Sequence, residues 1–178
     1  MAALAISMSI EHCFDHGTVI FELLSADMFG ALRELIRRAP VFREIGNLDP
    51  LEEAVITRER LQSTGLGHGV AVAHGRAAGV QRVLISLGLS RAGIPYSSPD
   101  GEPVRLLFVI ASPLHVSLDY LHSLSTLVRC LRDRSARESL LGGIDAEEVG
   151  RRIREAFLSG LARPADPVTG RPARGVAR

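Results

Sequence analysis

The chain of 178 residues contains no tryptophan, two tyrosines and six phenylalanines. Stacking platforms for single-stranded nucleic acid are therefore scarce, and the core must be packed from Leu, Val, Ile and Ala. Charge of one sign is lacking too. The 21 basic and 20 acidic residues leave a formal net charge of +1, so there is no concentrated basic face to neutralise phosphates and no nucleic acid is expected as a partner. Cys13 and Cys130 are too few and too far apart for a disulfide framework; this fits a reducing compartment, and both read as small buried hydrophobes. No apolar run reaches the ~20 residues that a membrane-spanning helix needs. Residues 2–10, AALAISMSI, have the hydropathy of a signal segment, but no Lys or Arg precedes them and Glu11 and His12 follow at once. The expectation is a cytoplasmic protein without membrane insertion.

Hydrophobic residues make up 46% of the chain and charged residues 23%, as in an ordinary globular domain. A chain of this length buries about 70% of the surface that its unfolded form exposes, enough for one domain with a real core. Residues 1–16 read as an N-terminal arm, 17–162 as the domain, and 163–178, rich in Pro, Gly, Ala and Arg without a period, as a flexible tail.

Within the domain, GTVIFEL (17–23) has strand composition, and Ser25 offers an N-cap for a helix whose Met28, Leu32, Leu35 and Ile36 share a face. Asp49-Pro50 reads as the cap and first position of a second helix, running to about Arg60. Strands are expected at 69–73, 81–89, 93–97 and 103–111, the last two joined by the SPDGE turn, with VRLLFVIA as a central strand covered on both faces. From Ser117 the chain turns helical, with Leu118, Leu121, Leu124, Val128 and Leu131 as the apolar stripe. A short helix ARESLLG follows, and Asp145 with Glu148 forms a capping box for the last helix. This order predicts an α/β fold with a mixed β-sheet between helix layers.

The stretch STGLGHGVAVAHGR (63–76) concentrates glycines and two histidines. Its G-x-G-x-G spacing is not the dinucleotide pattern, a helix precedes it and a strand follows, and no Gly-Lys-Ser/Thr is present; nucleotide binding is disfavoured. His68 and His74, with His115 and His122, could ligate zinc, but no cysteine or clustered carboxylate accompanies them and no metal is assigned. A structural histidine at a strand end is the bland alternative. The arrangement around His74 points elsewhere. Gly65, Gly67 and Gly69 allow backbone N–H groups to converge on an anion, Gly75 leaves space beside the imidazole, Ser63 and Thr64 bring hydroxyls, and Arg58 brings a bidentate guanidinium. An imidazole in such a set is equipped to accept a phosphoryl group, dividing one transfer into two.

ITRERLQSTGLGHGVAVAHGR (56–76) resembles the signature of the IIA domain of the bacterial phosphotransferase system, in its fructose/mannitol and nitrogen-regulatory class. Arg58, Glu59, Ser63, Thr64, Gly65, Gly67, Gly69, Ala71, His74 and Gly75 match it, and DGEPVRLLFVIASP and LHSLSTLVRCLRD are similar to a later strand and helix of the family. The resemblance spans about residues 17–158. It implies a three-layer α/β/α sandwich, phosphorylation of His74 by the carrier HPr or its nitrogen-branch paralogue, and Arg58 as the phosphate-binding arginine. It implies no cofactor. It also implies a stand-alone IIA protein, closer to the nitrogen-regulatory branch, whose downstream partner is a regulatory target or a IIB domain. Three positions depart from the family pattern. Ala73 stands in place of proline, His68 in place of asparagine, and Tyr120 aligns with a second histidine of the family, while His122 lies two residues on and faces elsewhere on a helix. Tyr120 can donate a hydrogen bond to phosphate but supplies no positive charge. Two functions stay open on these residues: a phosphoryl carrier working through His74, and a regulatory module that keeps the fold and docks a partner without efficient phosphotransfer.

Overall fold

The computed structural model describes residues 12–14, 17–115 and 118–162; most of the arm, the tail and Ser117 lie outside the described residues. The elements in chain order are β1 (Val19–Ile20), α1 (Met28–Arg38), a 3-10 turn (Pro40–Ile45), α2 (Asp49–Leu61), β2 (Gly65–Gly67), β3 (Val70–Arg76), β4 (Leu84–Ile94), β5 (Val104–Ser112), α3 (Leu118–Arg132), α4 (Arg134–Leu141) and α5 (Ala146–Leu161). The five strands form one mixed sheet in the order β1-β4-β5-β3-β2. β1 with β4 and β3 with β5 pair in parallel, whereas β4 with β5 and β2 with β3 are antiparallel. The expected three-layer α/β/α sandwich is the observed fold, with β5 as its central strand.

Alternation along the strands splits the core in two. Ala71, Ala73, Leu107, Val109 and Ala111 face α1, the 3-10 turn and α2, where Leu32, Leu35, Phe42, Leu51 and Val55 pack. Val70, Val72, Leu106, Phe108 and Ile110 face the layer of α3, α4 and α5, which contributes Tyr120, Leu127, Val149, Ile153 and Phe157. This period-2 division places His74, two residues beyond Val72, on the side of α3. Cys13 is fully buried against that second cluster and Cys130 is half-buried; neither forms a disulfide.

Several local expectations are corrected. Asp27, not Ser25, caps α1 by accepting from the Gly30 N–H; the Ser25 hydroxyl instead donates to Glu34, whose carboxylate also holds the N–H groups of Leu24 and Ser25. Asp49 is the first residue of α2 rather than its cap, and its own N–H donates to the Asn47 side chain. The strands expected at 81–89 and 93–97 meet in one strand, β4, which stops at Ile94 and whose pairing with β5 shifts between Leu89 and Ile94, where Gly93 takes a φ of 81°. That bulge looks like a chain break in the sequence. The buried face of α3 is Tyr120, Ser123, Thr126, Leu127 and Leu131, while Leu118 and Leu121 are exposed. The expected stripe shares only Leu131 with this face, which is rotated to take in Tyr120, most of whose phenol is apolar. At α5 the Asp145 side chain accepts from the Glu148 N–H as expected, but Glu148 reaches back to the N–H of Ile144, one residue beyond the capping-box position.

Candidate functional site

His74 is carried on β3, in register with Ile110 of β5, and the pairing continues beyond it to Arg76 opposite Ser112. The backbone under the imidazole is therefore held by the sheet without the proline the family pattern places at 73; Ala73 is fully buried and opposes Val109. The ring is half-buried, with its Nδ1 3.4 Å from the Val72 carbonyl oxygen. That carbonyl favours the proton on Nδ1, which would leave the Nε2 lone pair available to a ligand or electrophile. The His74 pKa lies below the ordinary value: burial is the largest cause, the Val72 carbonyl acts against it, and the positive charges of Arg58 and Arg76 add to the lowering while Glu59 opposes them. A neutral imidazole at neutral pH follows.

Tyr120 of α3 is the ring beside it. The His74 and Tyr120 centroids lie 5.8 Å apart with the planes inclined by 47°. The Arg76 guanidinium sits 5.8 Å from the same Tyr120 centroid, so His74, Tyr120 and Arg76 form one group. Burial raises the Tyr120 pKa, against the opposing charges of Arg76 and Arg58, and keeps the phenol neutral. Arg58 stands in the last turn of α2, where its Nη1 donates to the Gln62 carbonyl at 2.9 Å. Arg76 was missed in the sequence, although the signal was present: in a strand, residues 74 and 76 share a face.

The remaining candidates are arranged differently from the expected cradle. Gly65 opposes Ala71 and Gly67 opposes Val70, so the glycine run is itself a strand, closed by a tight turn at His68 and Gly69. Both turn residues have positive φ, 55° and 72°, as a two-residue hairpin of type I′ requires. This turn lies at the opposite end of β3 from His74, five residues or about 16 Å along an extended chain. The turn residues His68 and Gly69 thus lie at the far end of β3 from the imidazole, away from the cradle expected around His74. Their turn is instead pinned by Asp100, which accepts the His68 N–H at 2.6 Å.

Thr64 commits both its N–H and its hydroxyl to the carboxylate of Glu59, and the Gly65 N–H donates to the Ser63 hydroxyl at 3.2 Å. The Ser63 hydroxyl proton stays available. Gly75 points to the other side of the sheet, where an added Cβ would lie 2.8 Å from Val55 Cγ2 and 3.0 Å from Val55 N. Its lack of a side chain admits α2 rather than a ligand. His115 and His122 are exposed, and among the described residues no three His, Cys, Asp or Glu side chains gather as a metal site. No helix among the described residues is long and apolar enough to cross a membrane.

Residues 13–156 match the family model described as phosphoenolpyruvate-dependent sugar phosphotransferase system, EIIA 2. The chain belongs to this family. This EIIA 2 chain is 29% identical over 134 residues to the fructose-specific EIIABC component of Bacillus subtilis, a match covering 75% of this chain and 21% of that protein. It is 31% identical over 97 residues to the nitrogen regulatory protein of Bradyrhizobium diazoefficiens, covering 54% of this chain and 63% of the relative. The EIIA chain thus spans about a fifth of the first relative and under two thirds of the second. Among solved structures, the nitrogen regulatory protein IIA-Ntr of Neisseria meningitidis superposes with a TM-score of 0.70 at 28% identity, covering 81% of this chain and 98% of that one.

Proposed function

We propose that this EIIA protein is a cytoplasmic phosphohistidine carrier of the nitrogen-regulatory type, accepting phosphate on His74. The observation that carries the reading is the half-buried neutral imidazole, with Nδ1 against the Val72 carbonyl and positive charge from Arg58 and Arg76 reaching the ring. The donor is an HPr-like phosphocarrier protein. As the Nε2 lone pair forms a bond to phosphorus, the donor's P–N bond breaks and its electron pair returns to the donor imidazole. The protein contributes position and positive charge to the three equatorial oxygens, the main contribution a protein makes to such a transfer. Arg58 and the Ser63 hydroxyl belong to this phosphate-holding set. The acceptor is a regulatory target or a IIB domain; the added charge of about −2 is itself able to switch partner binding. Likeness to nitrogen regulatory proteins, in sequence and in a structure at 28% identity, supports the regulatory branch.

The test is incubation with phosphoenolpyruvate, enzyme I and the HPr-like carrier, followed by assay for acid-labile phosphate. Label is expected on the native chain, lost in His74→Ala and slowed by orders of magnitude in Arg58→Ala. Absence of label with an active donor, or label surviving His74→Ala, would leave the docking module without phosphotransfer as the better reading.

A further inference from the structure

The cation two residues beyond His74 has an arrangement that its exposure alone does not explain. Arg76 ends β3 opposite Ser112, is exposed, and among the described residues forms no ion pair. A long solvated side chain in that position would ordinarily sample many rotamers. Here its guanidinium is instead held over the face of Tyr120, whose ring also adjoins His74. A cation over a ring face at this distance keeps its N–H groups unspent, so the same guanidinium can contact the ring and hydrogen-bond phosphate at once. Arg58, in contrast, already gives one N–H to the Gln62 carbonyl.

We propose that Arg76 is the second cation that holds the phosphoryl group on His74, and that Tyr120 is the residue that positions it. The proposal rests on the carrier reading. Arg76 N–H groups donate to equatorial oxygens while phosphorus passes from the donor nitrogen to Nε2; no proton is transferred, because the His74 proton stays on Nδ1. Tyr120 acts through its ring, not its hydroxyl. The arrangement also serves the unphosphorylated state. After burial, the largest cause, a cation near the imidazole further disfavours its protonation, and the same cation becomes attractive once the phosphate dianion is in place.

The test uses the full chain, with the HPr-like carrier and, separately, phosphoramidate as a small phosphodonor that needs no docking surface. Arg76→Gln is expected to slow labelling about 100-fold with both donors, and Arg76→Lys to fall between it and the native rate. Tyr120→Phe should stay within about threefold of native, whereas Tyr120→Ala should match Arg76→Gln, and the double variant should be no slower than either single one, as for residues acting as a unit. NMR titration supplies a readout that a purely structural role would not move: the His74 pKa should rise in Arg76→Gln. Native labelling with an unimpaired Arg76→Gln, or an unmoved His74 pKa, would overturn the proposal and leave the carrier reading intact. Tyr120→Phe as slow as Arg76→Gln would assign phosphate to the hydroxyl and overturn the role of the ring. If the native chain takes label from neither donor, the carrier reading falls and this proposal with it.

Discussion

Glu59 and Thr64 are joined twice. The Glu59 carboxylate, 3% exposed, accepts the Thr64 N–H at 2.8 Å and also the Thr64 hydroxyl, and the Tyr96 hydroxyl lies 3.3 Å from that oxygen. These bonds tie the end of α2, which carries Arg58, to the start of β2. Glu59→Ala would leave a buried N–H without its acceptor; it is expected to cost about 3 kcal/mol, read as a lower urea midpoint at unchanged m-value. Glu59→Gln, which retains an acceptor for the N–H, should cost less.

Gly75→Ala tests the close approach of α2 to β3. The φ of Gly75 is not positive, so its cost is steric: the new methyl meets Val55 at both Cγ2 and the backbone N. A loss of about 1–3 kcal/mol is expected in thermal or urea unfolding, together with slower labelling of His74, because α2 also carries Arg58. Val55→Ala in the same chain should relieve only part of the loss, since the contact with the backbone N persists.

His68→Asn separates the turn from the site. His68 holds a φ of 55° before Gly69 at 72°, and asparagine tolerates the left-handed region better than histidine, above all as Asn-Gly in a hairpin. The variant should be more stable by about 0.5 kcal/mol, the order of a conformational gain at a single compatible position. Labelling of His74 should be unchanged. A large fall in the labelling rate would place His68 in the phosphate site after all.

The depressed pKa of His74, due first to burial, sets a pH dependence. On the proposed carrier reading the neutral imidazole is the nucleophile, so labelling by phosphoramidate should rise with pH about a midpoint below the usual histidine value of about 6.5. In the unfolded chain the same group binds its proton more readily. Its contribution to stability is therefore fully present above the unfolded pKa and is lost as pH falls through the folded one. Urea titrations of the native chain and His74→Gln should converge toward low pH, and NMR titration of the His74 ring gives the midpoint directly.

Much of the candidate site was legible because it is local. A candidate nucleophilic histidine, an arginine sixteen positions upstream and a run of small residues between them are marks within twenty positions of the chain; the strand content of VRLLFVIA is local too, and its apolar character, broken only at Arg105, matches its place at the centre of the sheet. The glycines were visible but not interpretable. Glycine permits positive φ, anion binding and close packing alike, and only the pairing of Gly65 with Ala71, the hairpin turn at His68 and Gly69 and the proximity of Val55 to Gly75 separate these uses.

By itself the sequence determined where the main helices and the apolar strands β3 to β5 lie, and that His74 and Arg58 are close along the chain. The family resemblance pointed to Tyr120, but only the tertiary structure brought its ring, and Arg76 with it, to His74. Tyr120 lies 46 positions away on another layer, and it reaches the imidazole because α3 packs on the face of β3 that carries residues 70, 72, 74 and 76. Arg76 joins the group through the same ring. Such contacts depend on strand register and on the rotation of a helix about its axis, and a shift of one residue in either would turn a different side chain toward the site.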